Sequence, residues 1–314
     1  MNETTELLSV RVAELYYEEN KSQDEIGGLL GITRWKVGRL LTQARERGIV
    51  RIEIVHPRAR RLGAERQLRE RFGLHDAVVV PTPSHASELT DRVTQAAADY
   101  LTAMRPVPRT LGVSWGRTMD AIAGHLVAGW ATAVTVVQIN GAVSLNRRPT
   151  TAANTAATIA QKAGGQVILL PSPAILERLE TKQAIESDRT VAGVIELAAG
   201  ASAYLFSGGV ADGTSALVES GYLSGTDVTE LRRKGAIGDV VGRFIDANGN
   251  IVDPGLDERT MGLSLEQLRA AANAIFVVSG EAKHPVARAV VTSGLCTVIV
   301  TDEATALALL EENA

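Results

Sequence analysis

Glycine, hydroxyl and basic residues lie close together in the segment Gly112-Val-Ser-Trp-Gly-Arg-Thr118, between an apolar run and a helical pattern. Glycine lets the main chain approach a ligand closely, and a helix N-terminus offers free N–H groups. Ser114, Arg117 and Thr118 add donors, so the segment has the chemistry to bind a phosphate. It matches neither the Walker A pattern nor Gly-x-Gly-x-x-Gly, which argues against a nucleotide or dinucleotide.

Two later segments carry similar residue types after apolar runs. In Ser207-Gly-Gly-Val-Ala-Asp-Gly-Thr-Ser215, Gly208 allows close approach and Asp212 can accept hydrogen bonds from hydroxyl groups. Ser279-Gly-Glu-Ala-Lys283 ends in a second candidate partner for a phosphate. One such loop alone is typical of a tight strand-to-helix turn, but three at one sheet edge favour a ligand site. Basic donors mixed with Asp and Asn acceptors predict a polyhydroxylated anion, which means a sugar phosphate.

Two further segments could supply groups that recognise hydroxyls. Gln138-Ile-Asn-Gly141 ends an apolar run, and Gln138 or Asn140 could read hydroxyl groups, while the absence of lysine there argues against imine formation with a sugar aldehyde. Asp239 precedes a hairpin-like stretch, 240–252, whose Asn248-Gly249 is a strong turn signal. Asp239 could face the ligand or cap a turn. We expect no metal and no cofactor.

Parallel strands would bring these loops to one sheet edge. Strand-like runs are predicted at 77–80, 110–113, 134–139, 166–170, 203–206, 274–278 and 296–300. Helical patterns alternate with them at 90–104, 119–126, 151–162, 190–199, 265–272 and 286–292. The alternation predicts an α/β fold: a Rossmann-like, doubly wound, mostly parallel sheet with helices on both faces.

The N-terminal segment predicts three short helices. The first has an apolar stripe formed by Leu8, Val12, Leu15 and Tyr16. Ser22-Gln-Asp-Glu25 has the form of a capping box for the second, and Gly31 allows a sharp turn. Thr33 can cap the third helix over 34–47. This order of signals predicts a helix-turn-helix.

The third helix has a basic outer side near its N-terminal end. Its inward positions are Val37, Leu40, Leu41 and Ala44. In a helix-turn-helix protein this end enters the major groove, where arginine and lysine contact guanine edges and phosphates. The expected DNA-binding residues are Ser22, Thr33, Arg34, Trp35, Lys36 and Arg39. The alternative is a three-helix bundle whose positive face only keeps it soluble.

Charge separates the two ends of the chain. The net charge is −4, yet residues 34–71 hold 12 basic and 4 acidic side chains. The alternation over 49–55 predicts a short wing or edge strand. Residues 58–72 predict an amphipathic helix with Leu62, Leu68 and Phe72 on its apolar side, acting as a linker and dimer contact. We therefore expect a winged helix-turn-helix domain at 1–57, followed by a linker helix and ligand-binding domain at 58–314.

Composition excludes several other classes. The 314 residues suit about two domains, and the single Cys296, expected to be buried, excludes a disulfide framework or a paired-cysteine zinc finger. No apolar run approaches the ~20 residues that span a bilayer. Acidic residues stand within Met1–Glu6, where a signal peptide would be basic. We expect a cytoplasmic protein without a membrane partner.

These motifs occur in the order found in one known family. The order is Ser-Gln-Asp-Glu-Ile, then Gly-Ile-Thr, Val-Gly-Arg-Leu-Leu, Gly-Val-Ser-Trp-Gly-Arg-Thr, Ala-Ile-Gly-Asp-Val-Val-Gly-Arg-Phe-Ile-Asp-Ala-Asn-Gly and Ser-Gly-Glu-Ala-Lys. The chain resembles the SorC family of sugar-responsive bacterial transcriptional regulators over nearly its whole length. The resemblance implies an effector domain related in fold to sugar-phosphate isomerases, phosphorylated sugars as inducers, and dimers or tetramers on DNA.

The resemblance also implies positions for the ligand. It places phosphate binding on Ser114, Gly116, Arg117, Thr118 and Lys283. Gly112 and Trp115 of the same loop are added as candidates from the residues themselves. Hydroxyl recognition falls on Asp239, beside the residue-based candidates Gln138, Asn140, Gly141, Gly208 and Asp212. The chain departs from some family members at Ala152, where they carry a glutamine.

The combined reading is a non-enzymatic regulator, a repressor, that binds operator DNA and responds to a phosphorylated sugar in carbohydrate catabolism. A homodimer or homotetramer is expected, because a monomer of this size reads only one half-site. One alternative is a sugar-phosphate isomerase with an accessory DNA-binding domain. The other is a regulator that senses an unphosphorylated sugar or polyol.

Overall fold

The computed structural model describes residues 3–50, 60–83, 85–141 and 151–311, and its contacts divide the chain into two units, Met1–His56 and Pro57–Ala314. Within its described residues, 3–50, the first unit contains three helices, α1 (Glu3–Tyr17), α2 (Gln23–Leu30) and α3 (Arg34–Glu46). The predicted helix-turn-helix is confirmed.

Capping residues define where the helices of the first unit begin and end. Ser22 Oγ accepts from the Glu25 N–H, and the Glu25 carboxylate accepts from the Ser22 N–H at 2.8 Å, which completes the predicted capping box. Gly31 ends α2 at φ 64°, a conformation that suits glycine. Thr33 Oγ1 accepts from the Lys36 N–H and starts α3.

The three helices share a hydrophobic core. Its buried members are Val12, Ala13, Leu15, Ile26, Val37, Leu40 and Leu41. Val12 and Leu15 of α1 and Val37, Leu40 and Leu41 of α3 fall on the predicted inward faces, so the opposite side of α3 is left exposed to solvent. The predicted wing over 49–55 lies outside the described residues from position 51 onward.

The second unit is built on a parallel sheet. Its strands are β1 (Asp76–Val80), β2 (Thr110–Val113), β3 (Thr135–Gln138), β4 (Gln166–Ile168), β5 (Ala203–Phe206), β9 (Ala274–Val277) and β10 (Val298–Asp302). Their order is β1-β10-β9-β5-β2-β3-β4, and every pairing is parallel. The predicted doubly wound α/β fold is confirmed.

The helices in the described part of the second unit follow or alternate with its strands along the chain. They are α4 (Leu62–Phe72), α5 (Leu89–Ala103), α6 (Arg117–His125), α7 (Thr151–Lys162), α8 (Leu179–Glu186), α9 (Arg189–Ala199), α10 (Ala216–Glu219), α11 (Gly225–Arg233), α12 (Pro254–Asp257), α13 (Leu265–Arg269), α14 (His284–Thr292) and α15 (Glu303–Leu310). Two large clusters of buried apolar residues form the core on the two sides of the sheet, because parallel strands are apolar on both faces.

A small antiparallel sheet stands next to the large one. It consists of β6 (Gly208–Val210), β7 (Gly238–Val240) and β8 (Arg243–Ile245) in that order. The tight turn between β7 and β8 is Val241-Gly242, with φ of 49° and 87°. Asn248-Gly249 forms the following turn, after which Ile251 returns to a single bridge with Ile245.

Arg243 fixes the segment that follows the hairpin. The side chain is 6 % exposed, and its guanidinium donates to Asp257 and to the carbonyls of Leu263, Thr260 and Gly262. A buried arginine is tolerated when its donors are paired in this way. The role of Arg243 is therefore to hold the main chain of 257–263.

Helix α4 differs from the predicted linker helix. It begins at Leu62, which is 69 % exposed, and residues 58 and 59 lie outside the described part. Leu68 is fully buried, and the buried Glu65 carboxylate accepts from Arg60 Nε at 2.7 Å and from the Val79 N–H at 2.9 Å. Helix α4 is thus bound to β1 as part of the second unit, since a buried carboxylate needs these partners.

Smaller differences concern the bounds of elements. The strand predicted at 296–300 runs over Val298–Asp302, the one at 166–170 ends at Ile168, the one at 134–139 spans Thr135–Gln138, and the helix at 265–272 ends at Arg269. Cys296 is buried, as expected, and burial raises the pKa of its thiol. None of the described helices has the length and apolar character needed to cross a membrane.

Candidate functional site

The order of the strands creates a crevice between β2 and β5. The chain passes from β2 outward to β3 and β4, then returns to β5 on the other side of β2. Ligands of open α/β sheets bind at such a switch point, beyond the carboxyl ends of the strands. A cavity opens there, and we call it the switch-point cavity. Its lining is Ser114–Thr118, Asn140, Ser207–Val210, Thr214–Leu217, Asp239, Val241, Gly242 and Lys283.

The loop after β2 forms one wall of the cavity. Gly116 has φ 126°, which a side chain would strain, and this backbone turns Arg117 and Thr118 into the first turn of α6. Ser114 is 4 % exposed, and its Oγ has no hydrogen-bond partner among the described residues. The Trp115 indole donates to the Gly141 carbonyl at 2.8 Å, which fixes this loop against the one after β3.

Asn140 supplies a second unpaired polar group. Its side chain is 4 % exposed, and Oδ1 has no hydrogen-bond partner among the described residues. The Gln138 side chain donates to the Asn140 carbonyl at 2.7 Å and holds the loop. Leaving a buried polar group unpaired costs about 1–3 kcal/mol. Two such groups, Ser114 and Asn140, in one cavity wall indicate a site that is completed by a hydrogen-bonding molecule.

Asp239 lies at the base of the cavity on strand β7. It stands opposite Gly209 of β6, and its Oδ2 accepts from the Gly242 N–H at 3.0 Å. Burial raises the pKa of the Asp239 carboxyl to about 6, against the lowering effects of the Gly242 N–H and the charge of Lys283. The register therefore places a carboxyl group that titrates near neutral pH inside the cavity.

Two basic side chains complete the lining. Lys283 belongs to the turn before α14, and its Nζ lies 3.5 Å from Ser207 Oγ. Burial and the charge of Arg117 lower the pKa of Lys283, whereas Asp239 opposes that shift. Two cations beside one carboxyl group leave the cavity with positive charge, which suits an anion that also carries hydroxyl groups.

Four of the predicted ligand residues do not line the cavity. Gly112 lies inside β2, where a Cβ would meet Ile139 at 2.6 Å and Tyr204 at 2.7 Å, so this glycine serves packing. Gln138 and Gly141 support the loops instead, as described above. Asp212 Oδ1 accepts from the Thr214 N–H at 2.7 Å and from Thr214 Oγ1 at 2.6 Å. Asp212 therefore shapes its own loop.

The structure adds residues that the sequence analysis did not single out. Ser207, Gly209, Thr214 and Ser215 line the cavity, as do Val241 and Gly242. The first four belong to the predicted loop 207–215, but the pattern does not tell which of its side chains face inward. Val241 and Gly242 form the turn between β7 and β8, and both have positive φ values. The sequence analysis did not predict this turn, because Asn248-Gly249 is a stronger turn signal in the same stretch.

The first unit presents a separate surface. The outer side of α3 carries Arg34, Trp35, Lys36 and Arg39, all exposed, and they border a groove that reaches Tyr16 and Tyr17 of α1. Arg34 Nη1 lies 3.4 Å from Asp24 Oδ2 in an exposed ion pair of small energetic weight. The hydroxyls of Ser22 and Thr33 cap α2 and α3, so their first role is structural.

Comparisons with known proteins agree with this architecture. A family model described as "Putative sugar-binding domain" matches residues 56–311. The chain is 32 % identical to the Bacillus subtilis (strain 168) "Deoxyribonucleoside regulator" over 99 % of this chain and 100 % of the relative. It is 26 % identical to the Brucella abortus (strain 2308) "Erythritol catabolism regulatory protein EryD" over 99 % and 98 %.

A solved structure shows the same arrangement. The full-length sorbitol operon regulator SorC from Klebsiella pneumoniae matches with a TM-score of 0.73 and 27 % identity, covering 99 % of this chain and 100 % of that one.

Proposed function

The chain belongs to the SorC family of transcriptional regulators, and on this premise we propose that it binds operator DNA and that a phosphorylated sugar in the switch-point cavity controls this binding. The DNA contacts are made by Arg34, Trp35, Lys36 and Arg39. The regulated genes serve carbohydrate catabolism, and the protein acts in the cytoplasm as a repressor that the sugar phosphate releases.

The charge and hydrogen-bonding groups of the cavity carry the proposal for the ligand. Arg117 and Lys283 meet at one cavity with the buried, unpaired Ser114 Oγ and Asn140 Oδ1. Asp239 offsets at most one of these two cations, and the remaining positive charge favours a phosphorylated ligand over a free sugar or polyol. Asp239 accepts from or donates to sugar hydroxyls, depending on its protonation.

Regulation requires that the ligand distinguishes two states of the protein. The sugar phosphate must bind the DNA-competent and the released state with different affinities, typically by 1–3 kcal/mol. A homodimer or homotetramer presents two helices α3 to a pseudo-palindromic operator. Sedimentation of the full chain, alone and with DNA, measures this assembly.

Thermal unfolding against a panel of sugars, each with and without its phosphate, tests the ligand class. We expect one phosphorylated sugar to raise the unfolding temperature, its unphosphorylated form to have no effect, and Arg117→Ala to abolish the shift. Arg109→Ala is the matched control. This exposed arginine lies just before β2, whereas Arg117 lies after it, and Arg109 does not line the cavity. A shift by a free polyol, or one that survives in Arg117→Ala, would contradict the proposal.

The isomerase alternative has its own test. The same sugar phosphates are incubated with the protein at stoichiometric concentration and followed by NMR. We expect binding without conversion, and the appearance of an isomer that Asp239→Asn abolishes would establish an enzyme instead.

The salt dependence of DNA binding tests the first unit. Lys36→Ala should weaken binding and reduce the slope of log K against log salt by about 0.9 if one phosphate contact is lost. Arg66→Ala, an exposed arginine of α4, is the control for a change of charge alone. Equal slopes for Lys36→Ala and the wild type would place the DNA surface elsewhere.

A further inference from the structure

An exposed tryptophan on α3 is not explained by the fold. Trp35 is 89 % exposed, the highest value among the large apolar side chains of the described residues. A single exposed apolar residue is ordinary, but a tryptophan buries a large area wherever it finds a partner. None of the buried apolar clusters in the described part of the chain includes it. We therefore seek its partner outside the described part of the chain.

The surroundings of Trp35 identify the kind of partner. It stands in the first turn of α3 with Arg34 and Lys36 on either side, and Arg39 follows one turn later on the same stripe. This stripe is opposite to the buried positions Val37 and Leu40. Three positive side chains beside one exposed apolar side chain complement a polyanion that also presents an apolar group.

Double-stranded DNA offers one such group in the major groove. Adenine, guanine and cytosine present polar atoms there, whereas thymine also presents its C5-methyl group. Resting on the proposed DNA binding, we propose that Trp35 is a specificity-determining residue that packs against a thymine C5-methyl group in each operator half-site. The basic neighbours hold the helix on the phosphates and adjacent bases.

Selection from a random duplex library tests this with the full-length protein. The wild type should enrich a sequence with a fixed thymine in each half-site. Trp35→Ala should lose the preference at that position and retain the rest of the sequence. The matched control is Leu29→Ala, because Leu29 is a 62 % exposed apolar residue on α2 and away from the basic stripe. It should enrich the wild-type sequence unchanged.

A single-group substitution in the DNA sharpens the test. Replacing the selected thymine with deoxyuridine removes only the C5-methyl group. The wild type should bind about fourfold more weakly for each half-site in which the thymine is replaced, as the loss of one buried methyl group predicts. Trp35→Ala should bind the two duplexes equally. Circular dichroism and thermal unfolding of Trp35→Ala should match the wild type, since the side chain is exposed.

The possible failures have different meanings. An enriched sequence without discrimination between thymine and deoxyuridine, or discrimination that persists in Trp35→Ala, overturns this inference and leaves the proposed function standing. A change in sedimentation of Trp35→Ala would place Trp35 between copies of the chain and also overturn it. No enriched sequence for the wild type overturns the proposed DNA binding, and this inference with it.

Discussion

At the scale of single residues, Asp239 couples the cavity to pH. Burial raises the pKa of its carboxyl from 3.8 to about 6, so the folded protein holds the proton more tightly than the unfolded chain. Stability from this group is therefore present at low pH and is lost as pH rises through about 6. The ionised carboxylate then costs roughly 3 kcal/mol.

Asp239→Asn should remove this dependence. We expect the variant to unfold at a higher temperature than the wild type at pH 8, where Asp239 is ionised, and the difference to be much smaller at pH 4.5, where the folded protein keeps Asp239 protonated. Asp212→Asn is the control with the opposite sign, because hydrogen bonds from Thr214 lower the pKa of Asp212. Thermal unfolding of the wild type and the two variants at both pH values tests this. An effect of Asp239→Asn that is equal at both pH values would contradict the raised pKa of Asp239.

Gly209 keeps the space that the Asp239 carboxylate occupies. A Cβ at Gly209 would lie 2.0 Å from Asp239 Oδ1, so Gly209→Ala must displace the carboxylate or the strand. We expect a loss of about 1–3 kcal/mol in urea unfolding, as for other overpacked sites. Gly213→Ala in the same loop, where nothing lies within 4 Å of the new Cβ, should be close to neutral. Equal stability of the two variants would contradict this account of the close contact.

Residue types predict the chemistry of the cavity better than they predict which residues line it. Arg117, Lys283 and Asp239 are chemically conspicuous after apolar runs, and the structure brings them to one cavity. Gly112 and Asp212 are equally conspicuous in the sequence, yet one packs inside the sheet and the other bonds to its own loop. The direction of a side chain in a loop depends on backbone angles that residue type alone does not fix.

At the scale of elements, local capping decides how well α2 is formed. Ser22→Ala removes the capping box and should cost about 1 kcal/mol of helix stability. Hydrogen–deuterium exchange should show faster exchange within Gln23–Leu30. The matched control is Ser224→Ala, which removes an equivalent capping box with Asp227 from α11 and should speed exchange there. Unchanged exchange of α2 in Ser22→Ala would mean that tertiary packing alone holds this helix.

The elements that the sequence predicts best are the ones with a clear apolar pattern. Strands β2 and β5 and helix α7 agree with the prediction to the residue. The strands are short, mostly apolar runs, and the helix repeats small apolar residues between polar ones. Helix α8 buries none of its side chains, so its sequence has no apolar stripe from which the helix could be predicted. Helix α15 is apolar on nearly every side, which hides the helical period.

At the scale of the whole molecule, two units with separate cores predict two unfolding events. One hydrophobic core joins α1, α2 and α3, and the others belong to the second unit. In calorimetry, a sugar phosphate at a hundred times its dissociation constant adds about 2.7 kcal/mol to the second unit alone. Its transition should rise by roughly 5–10 °C, while the transition of the first unit stays in place.

DNA provides the complementary measurement. A duplex selected by the protein should raise the transition of the first unit, and Lys36→Ala should reduce that rise. A single transition that contains both units would contradict the expectation of independent cores.

Two glycines of the small sheet, Gly209 and Gly238, limit which positions at the cavity can be substituted during evolution. Gly209 and Gly238 are closed to any side chain, because a Cβ would meet Asp239 at 2.0 Å or the Gly209 carbonyl at 2.4 Å. Exposed Thr214, on the loop above, faces no such barrier. A duplicated gene could therefore acquire a new inducer through loop substitutions alone. A biosensor library for a chosen sugar should be confined to the same loops.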